Sequence, residues 1–561
     1  MNYGNRISIN DIDEPQETLM MSIAKADHIS NNMAFDGHLS RNYITQNIDP
    51  HNERKYLEKT KEQSSSAAEP KAPLKYQPKW WFIIFLIFML SVQSLHSGYG
   101  MGTWNRIGPM LRLKYGWTPG ERKFYESFVT SFLIAGIVLG RFFGAWFVQK
   151  GRKTCLLTAC FVGIVAIGIM MVQNIFLFIF GRLIYGFAAG TFNAVGGRYV
   201  EECSPPQYLS LFFTLYTFGV SLNRPAVVLG TMLLEKSKDP AVLIESDSWR
   251  SFILMPLIFS TICILGTILV VRYETPMYLV TKKRYDEARS AIKLMFSNDV
   301  DAEEILKYLK RNTSKETDKA SFQSALVDPR YRIGTLITSS LALMLFFNGI
   351  FPITTFGADL FTAIYGDDYT YFDSQATLNI IAIADPASQL VAVFIVPLFS
   401  RRLFLIGGGL VIAVMNALVV FFDQANNNLA VTVTVVGLVI ITSIVQEPVC
   451  QLYMQEVSSN SSLGIVHLCY FLSTFVLAAA LPTVLAELGP SSIYGTCFIM
   501  SMVLVVIQFF FIKETSKLTD KEKKQLYFPA EYKSIIQNTQ DDSSQTIDMD
   551  HSVSMSLRSF A

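Results

Sequence analysis

Long apolar stretches recur along this 561-residue chain from Trp80 onward, and they constrain the fold more than any other feature. Each is long enough to cross about 30 Å of hydrocarbon as a helix. With 51% hydrophobic and only 17% charged residues, the chain has too much apolar sequence for one soluble core. We therefore predict an all-α polytopic membrane protein with twelve transmembrane helices, at 81–103, 127–148, 154–173, 175–197, 209–234, 251–271, 333–357, 376–399, 403–422, 430–451, 463–485 and 491–511.

The polar stretches between and around these spans predict the domain organisation. Residues 1–79 are rich in Asn, Ser, Asp, Glu and Lys and lack the short hydrophobic core of a signal peptide, which favours a disordered tail. Two amphipathic stretches after the sixth span predict short helices. The expected domains are a cytosolic tail (1–79), a six-helix bundle (80–271), a cytosolic linker (272–332), a second six-helix bundle (333–512) and a cytosolic tail (513–561).

The basic residues predict the orientation in the membrane. By the positive-inside rule, both termini are expected in the cytosol, in the plasma membrane or an internal membrane. The residues that favour this are Lys150, Arg152, Lys153, the basic residues of the 272–332 interval, Arg401, Arg402 and the lysines from Lys513 onward. The loop after the first span opposes it, with Arg106, Arg112, Lys114, Arg122 and Lys123.

Charge, cysteine spacing and motifs exclude several functional classes. The net charge of +1 gives no reason to expect nucleic-acid binding. The seven cysteines have no paired spacing, so neither a disulfide framework nor a zinc site is expected. The chain shows no phosphate-binding loop, metal-ligand cluster or nucleophile elbow. We therefore expect no enzymatic activity, no cofactor and no metal, with a small solute and the lipid bilayer as partners.

Matching positions in the two sets of six spans repeat with an offset of roughly 250 residues, which indicates two homologous halves around a central site. Tyr199-x-x-Glu202 after the fourth span is echoed by Tyr453-x-x-Glu456 after the tenth. We interpret the repeated charges as a latch that engages when the cavity opens outward and separates when it opens inward; ordinary interfacial charge is the alternative. The predicted gating residues are Arg152, Lys153, Arg182, Glu202, Glu274, Arg401, Arg402, Glu456 and Glu514.

Gly181–Pro205 carries the order G-R-x-x-x-G-x-x-x-G followed by Y-x-x-E-x-x-P, and Trp249-Arg250 and Tyr273-Glu274-Thr275-Pro276 follow later. These motifs resemble the sugar-porter branch of the major facilitator superfamily, and the chain is also similar to organic-ion members. The resemblance implies secondary active or facilitative transport by alternating access, as a symporter or uniporter, with proton or ion coupling open and a monomer as the functional unit. The alternatives are a hexose carrier with an altered pocket and a transporter-like nutrient sensor that moves nothing.

The chain departs from the family where coupling chemistry is expected. Many sugar porters place an Asp after Gly-Tyr in helix one, where it couples transport to protons together with the helix-four Arg. Here Gly98-Tyr99 is followed by Gly100, and Arg182 stands without that acid. His96 could titrate in its place. The alternative is a hydrogen-bonded packing histidine.

Helix seven of hexose carriers has a Gln pair before a Gly and an Asn after it. Aligning Gly349 puts Leu345, Phe346 and Phe351 at those places, while Asn348 is expected on a different face. Thr217 stands where helix five often has Gln. Because unpaired buried polar groups cost about 1–3 kcal/mol each, sugar binding needs several fixed polar groups. The sequence therefore predicts a pocket too apolar for a hexose.

Four charges lie inside predicted spans: Arg141, Arg224, Asp385 and Glu447. Such residues are rare and face a cavity or a partner. One hypothesis is an organic ion or zwitterion as cargo, with the arginines binding an anionic group and the acids a cation or proton. The alternative is that the charges neutralise one another across the bundle. The predicted substrate-binding residues are Arg141, Thr217, Asn223, Arg224, Leu345, Phe346, Asn348, Phe351, Asp385, Gln389, Glu447 and Gln451.

Overall fold

The computed structural model describes most of the chain from Gln77 to Tyr532. The described ranges are 77–147, 150–205, 208–235, 239–297, 301–315, 324–365, 371–396, 399–458, 460–515, 518, 520–530 and 532. The predicted tail at 1–79 and most of the one at 513–561 lie outside these residues. Within them the protein folds into the twelve-helix architecture of the major facilitator superfamily.

The first six spans form one half. α1 is Trp80–Tyr115, α2 is Pro119–Phe147, α3 is Arg152–Met170 and α4 is Ile175–Cys203. α5 has two segments, Leu209–Ser221 and Asn223–Thr231, and α6 is Ser248–Leu269. α1 extends beyond the predicted residue 103 because its last turns hold polar groups that pair with other helices, as shown below.

The second half repeats the pattern with more interruptions. α7 comprises Pro329–Phe346 and Ile350–Tyr365, and α8 is Tyr371–Ile395. α9 comprises Arg401–Leu403, a π-helical stretch Phe404–Gly408 and Gly409–Gln424, and α10 comprises Asn428–Ile441, a π-helical stretch Thr442–Gln446 and Glu447–Val457. α11 and α12 are the limbs of Asn460–Phe511 before and after Gly489, whose φ of 74° breaks the helix.

Length and composition agree with membrane insertion. Nine helices in the described part of the chain are long and apolar enough to cross a membrane. One of these nine contains both α11 and α12, so together they account for ten spans. α5 and α8 are the other two of the twelve. The end of the bundle that carries the segment between α6 and α7 is called the linker end; the other, where α1 turns into α2 at Gly116, is called the distal end.

The glycines of α4 let this helix pack closely against α2. A Cβ on Gly186 would lie 2.1 Å from the carbonyl oxygen of Leu133 in α2, and one on Gly190 would lie 2.2 Å from that of Ile137. Gly136 of α2 makes the reciprocal approach to Leu183. Because no side chain stands between them, the two backbones come into contact. Gly181 faces a different neighbour, since its added Cβ would meet Met170 of α3.

Short helices flank the spans. They are Pro240–Glu245, Pro276–Thr281, Tyr285–Met295, Ala302–Lys315, Ser324–Val327 and Asp520–Lys524. The amphipathic linker helices predicted from the sequence bury Ile292 and Ile305 within the same core as α1–α6. The backbone N–H of Lys79 donates to Met295 O at 2.9 Å, which ties the start of α1 to the linker.

Candidate functional site

A cavity of about 260 Å³ lies between the two halves. Its walls come from α1, α2, α4, α5 and from α7, α8, α10, α11. Pockets for small ligands run from about 300 to 1,000 Å³, so this one suits a small solute. Its polar and charged lining residues are Ser97, Asn105, Arg106, Arg141, Asn193, Asn223, Arg224, Asn348, Thr354, Glu447, Gln451, His467 and Tyr470.

A break in α7 turns Asn348 toward the cavity. Gly349 has φ 84°, and a Cβ there would lie 2.4 Å from Asn416 Oδ1. Asn348 Oδ1 accepts the backbone N–H of Ile350 at 2.9 Å and so starts the second segment. The expectation that Asn348 occupies a different face is wrong, because the break removes the helical register on which it depended. Asn348, Leu345 and Phe351 all line the cavity.

A second break, at Leu222 of α5, places two polar residues on the cavity wall. Asn223 and Arg224 begin the second segment of this helix. Gly98 of α1 makes room for Asn223, since a Cβ at Gly98 would lie 2.1 Å from Asn223 Cγ. The glycine in α1 therefore fits the amide in α5, and only a residue without a side chain leaves that amide in place.

The structure brings eight of the twelve predicted substrate-binding residues to the cavity wall: Arg141, Asn223, Arg224, Leu345, Asn348, Phe351, Glu447 and Gln451. Two more contact these from behind. Asp385 forms an ion pair with Arg224, and Gln389 Nε2 donates to Glu447 Oε2 at 3.2 Å. Thr217 and Phe346 are not among the lining residues, and the Phe346 ring packs on Phe347.

The intramembrane charges pair across the two halves. Arg224 of α5 meets Asp385 of α8, whose side chain is 1% exposed and also accepts the hydroxyl of Ser443. Arg141 instead places its guanidinium 4.7 Å from the centroid of the Phe471 ring. Asp385 is thus held as the mutual-neutralisation interpretation expects, while Arg141 and Glu447 line the cavity outside this pair.

Sequence reasoning missed several polar groups of the cavity, among them Asn193 of α4 and His467 and Tyr470 of α11. Asn193 follows the Gly186–Gly190 pattern within α4, but a lone amide gave no signal of facing inward. Amides from α4, α5, α7 and α10 line the space beside apolar side chains, so the cavity offers more hydrogen-bonding groups than the sequence predicts.

The residues considered for proton coupling lie outside this cavity. His96 is 1% exposed and its ring nitrogens lie 3.0 Å from Tyr185 Oη and 3.3 Å from Ser260 Oγ. These contacts match the packing interpretation. Arg182 Nε donates to Val129 O at 2.8 Å near the start of α4, which is the distal end. Arg182 therefore lies at the opposite end of α4 from the repeated charges of the linker end.

At the distal end, four charges join the halves. Arg112 of α1 binds Asp359 of α7 through two hydrogen bonds of 2.6 and 2.5 Å, and it also pairs with Glu126 of α2. Arg122 of α2 reaches Asp359 at 2.9 Å and Glu126 at 3.1 Å. We call Arg112, Arg122, Glu126 and Asp359 the distal quartet. Its arginines belong to the basic loop that opposed the positive-inside rule, and their acidic partners neutralise them.

Hydrogen bonds from Asn105 of α1 close the cavity below the quartet. Its Nδ2 donates to Ile353 O at 3.2 Å and to Thr354 O at 2.6 Å, and its Oδ1 accepts the N–H of Ala358 at 3.3 Å. Gln375 of α8 donates to Asn105 O at 2.9 Å. Asn105 therefore joins α1 to α7 through its side-chain amide and to α8 through its backbone carbonyl.

Two further polar contacts complete the distal end. Lys123 pairs with Glu487 at 3.1 Å across the halves. Lys114 pairs within its own half with Asp247 at 2.8 Å, and this hydrogen bond lowers the pKa of the Asp247 carboxyl below its usual value. The loop charges are therefore partners of specific acids.

At the linker end, the repeated residues form two clusters, one on each half. Arg152 binds Glu202 at 2.6 Å, and Thr275 donates to the same carboxylate at 2.5 Å. In the other half, Thr515 donates to Glu456 at 2.7 Å. Here Lys523, beyond α12, supplies the cation at 2.9 Å.

Glu274 and Glu514 repeat a second contact. Glu274 accepts the backbone N–H groups of Lys153 and Thr154, and Glu514 accepts those of Arg401 and Arg402, at 2.8–3.1 Å. A carboxylate is stabilised at a helix N-terminus. The side chains of the paired arginines turn elsewhere, with Arg401 donating to Val396 O and Arg402 to Phe509 O, both at 3.0 Å.

Two six-helix halves around a polar cavity, sealed at one end, define a membrane transporter of the alternating-access type. The chain belongs to the Sugar (and other) transporter family, which matches residues 86–527. The match spans most of both halves.

Relatives of known name agree with this family. Hexose transporter 1 of Plasmodium falciparum (isolate 3D7) is 24% identical over 458 residues, which cover 76% of this chain and 88% of that protein. H(+)/hexose cotransporter 2 of Parachlorella kessleri is 27% identical over 293 residues, 50% of this chain and 51% of its own. Among solved structures, the proton:xylose symporter XylE bound to 6-bromo-6-deoxy-D-glucose superposes with a TM-score of 0.66 at 15% identity, covering 80% of this chain and 99% of that one.

Proposed function

We propose that this transporter carries a small polyhydroxylated solute of the sugar class. The observation that supports this most is the set of amides around the cavity, Asn193 and Asn223 from one half and Asn348 and Gln451 from the other. An amide offers donors and acceptors at once, as a sugar hydroxyl requires. The names of the hexose-transporting relatives point to the same class.

The contacts support a defined step of the cycle. The distal quartet and Asn105 join the halves on one side of the cavity, whereas the linker-end clusters lie within each half. By the positive-inside rule the linker end faces the cytosol. We therefore infer that the structure is closed to the outside, with both termini in the cytosol, and that solute leaves toward the linker end.

The second candidate substrate is an organic anion. Arg141 lies on the cavity wall and, among the described residues, its Nε has no hydrogen-bond partner. A carboxylate would supply that partner and bind the guanidinium by two hydrogen bonds. The organic-cation alternative has less support, because Asp385 is already paired with Arg224.

The test is uptake by the purified full-length protein in liposomes, with hexoses, pentoses, organic anions, organic cations and amino acids. We expect saturable uptake of at least one sugar and its loss, by about tenfold or more, in Gln451→Ala and Asn193→Ala, since each removes a hydrogen bond worth about 1–3 kcal/mol. Gln424→Ala, an exposed amide at the end of α9, is the matched control.

Three results would overturn the proposal. Uptake of organic anions alone, abolished by Arg141→Gln, would identify the second candidate. Uptake of sugars that both cavity amide variants leave unchanged would place the binding site elsewhere. Binding of a sugar without any flux would instead support a nutrient sensor.

A further inference from the structure

Three charged side chains meet beside the cavity and are not needed to bind a neutral solute. Arg224 interacts electrostatically with both Asp385 and Glu447. The arginine lies on α5 of the first half, and the two acids lie on α8 and α10 of the second. The trio thus spans the surface along which the halves move against each other.

The charges of this trio do not balance. With both acids ionised, one guanidinium faces two carboxylates, which leaves a net charge of −1. An uncompensated charge in a largely buried site is costly, so such groups acquire a partner or a proton. The trio is neutral when one of the two acids binds a proton.

The contacts distinguish the two acids. Asp385 is paired directly with Arg224 and accepts the Ser443 hydroxyl. Glu447 lines the cavity and accepts a hydrogen bond from the neutral amide of Gln389. Water in the cavity can therefore exchange a proton with Glu447, while Asp385 is shielded at 1% exposure.

Local backbone geometry presents Glu447 to the cavity. It follows the π-helical stretch Thr442–Gln446 of α10 and precedes Pro448, whose ring begins the next helical segment. Single π-helical turns within α-helices occur frequently at functional sites. The same stretch supplies Ser443 to Asp385, so one distortion organises both acids.

Other ionisable groups lie near Glu447 on the helices that pack around it. Tyr470 of α11 and Cys450 of α10 interact with it electrostatically, and His467 of α11 lines the same cavity. Arg141 of α2 also faces the cavity, but its guanidinium stacks on Phe471. Arg224, through its pair with Asp385, is the charge that links Glu447 to the opposite half.

We propose that Glu447 is the proton-binding site of this transporter and that its proton leaves Arg224 bound to Asp385 alone. The proton comes from cavity water, binds one carboxylate oxygen of Glu447, and returns to water at the other face of the membrane. Without it, Asp385 and Glu447 compete for Arg224, which weakens the pair that joins α5 to α8. Protonation therefore favours the conformation described here. The inference rests on the proposed function only in that the chain transports a solute.

A conformational test needs no substrate. Spin labels at Thr281 and Leu403, both exposed at the linker end, report the separation of the halves in liposomes by dipolar spectroscopy. We expect the wild-type distance distribution to shift as pH falls, with a population change of about tenfold, within the usual range of 5–150-fold for coupled sites. Glu447→Gln should stay at the acid-like distribution at every pH.

Asp423→Asn is the matched control, because Asp423 is hydrogen-bonded to Ser491 in the same half and does not line the cavity. It should retain the wild-type response to pH. A full pH response in Glu447→Gln would overturn the proposal, and so would an equal loss in Asp423→Asn.

Transport provides the second arm. In liposomes with an inward proton gradient, D-glucose accumulation should fall at least about tenfold in Glu447→Gln, while exchange of labelled for unlabelled glucose falls much less, since exchange needs no net proton movement. Glu447→Asp should restore part of the accumulation. If the wild type moves no sugar, the proposed substrate class fails and the distance measurement still decides the proton site. Equal losses of accumulation and exchange would contradict coupling at Glu447.

Discussion

The two ends of the bundle use similar charged residues in different ways. At the distal end, Arg112 and Arg122 of one half bind Asp359 of the other. At the linker end, Arg152 binds Glu202 within its half, and Lys523 binds Glu456 within the other. Ion pairs between halves resist their separation at that end, whereas pairs within a half only stiffen it. Of the two ends, the distal one is therefore where ion pairs of the described residues hold the halves together.

The carboxylate sites at the linker end are alike in the two halves in one respect and differ in another. The carboxylates Glu202 and Glu456 accept hydrogen bonds from threonines at equivalent places, Thr275 and Thr515. Their cations differ, since one comes from the start of α3 and the other from the segment after α12. The two halves thus share a carboxylate site but depend on different segments of the chain to neutralise it.

The largest effect is expected for Arg112→Ala. Removing one partner of a buried ion pair costs about 3–5 kcal/mol, because the acids Glu126 and Asp359 lose their main cation. The distal end should open. A cysteine at Thr354 on the cavity wall, in a Cys469→Ser background, should then react at least tenfold faster with a membrane-impermeant thiol reagent added outside.

Lys123→Ala is the matched control for that experiment. Its pair with Glu487 also crosses the halves, but the two side chains are 35% and 60% exposed. Exposed pairs contribute about 0–1 kcal/mol, so cysteine reactivity should change little. Equal effects of the two variants would refute the special role of the distal quartet.

A smaller opening is expected for Asn105→Ala. This change removes the hydrogen bonds to Ile353, Thr354 and Ala358, and the carbonyls and N–H left without the amide cost about 1–3 kcal/mol. The same Thr354 cysteine should react faster than in the parent protein but more slowly than in Arg112→Ala. Asn427→Ala at the start of α10 serves as control, and reactivity in Asn105→Ala at the control rate would contradict the expectation.

Arg152→Ala should lower the stability of the protein without opening the distal end. Its pair with Glu202 is only 14–16% exposed, so its loss should lower the thermal unfolding temperature of the protein in detergent. Because the pair lies within one half, the reactivity of the Thr354 cysteine should stay at the parent value. Faster reaction in this variant would show that the linker-end cluster also controls the distal end, as a latch between the halves would.

The smallest effect is expected for Lys523→Ala. Glu456 keeps its hydrogen bond from Thr515, and the lysine ammonium is a flexible point charge. We expect a smaller loss of stability than in Arg152→Ala, because the lysine donates one hydrogen bond to its carboxylate and the arginine donates two, and we expect no change in uptake. The thermal unfolding midpoint measures this, and a loss as large as that of Arg152→Ala would make the two cations equivalent.

Much of the fold follows from sequence alone. The recurring apolar spans and the repeated Tyr-x-x-Glu motifs predict twelve helices in two halves, and the structure has this architecture. The extension of α1 to Tyr115 could not be predicted, because Arg112 is stabilised there by Asp359, far away in sequence.

The cavity was harder to predict than the fold. The helical register does not continue across a break in a helix. The sequence therefore predicts Asn348 on another face, whereas the break at Gly349 turns it toward the cavity. A sequence also does not show which charges form ion pairs. From sequence alone, Arg224 and Asp385 could each bind an ionic solute, but they bind each other. The distal arginines oppose the positive-inside rule until their pairs with Asp359 and Glu126 are known. Partners separated by more than a hundred residues decide both cases.

The central claim is that the distal quartet holds the two halves together at the distal end. Spin labels at Gly120, where an added side chain meets nothing within 4 Å, and at Ala363 of α7 measure the distance across the distal end. The claim predicts a short distance in the parent protein and a longer one in Arg112→Ala, with the opposite change between Thr281 and Leu403 at the linker end. Unchanged distances at both ends in Arg112→Ala would contradict it.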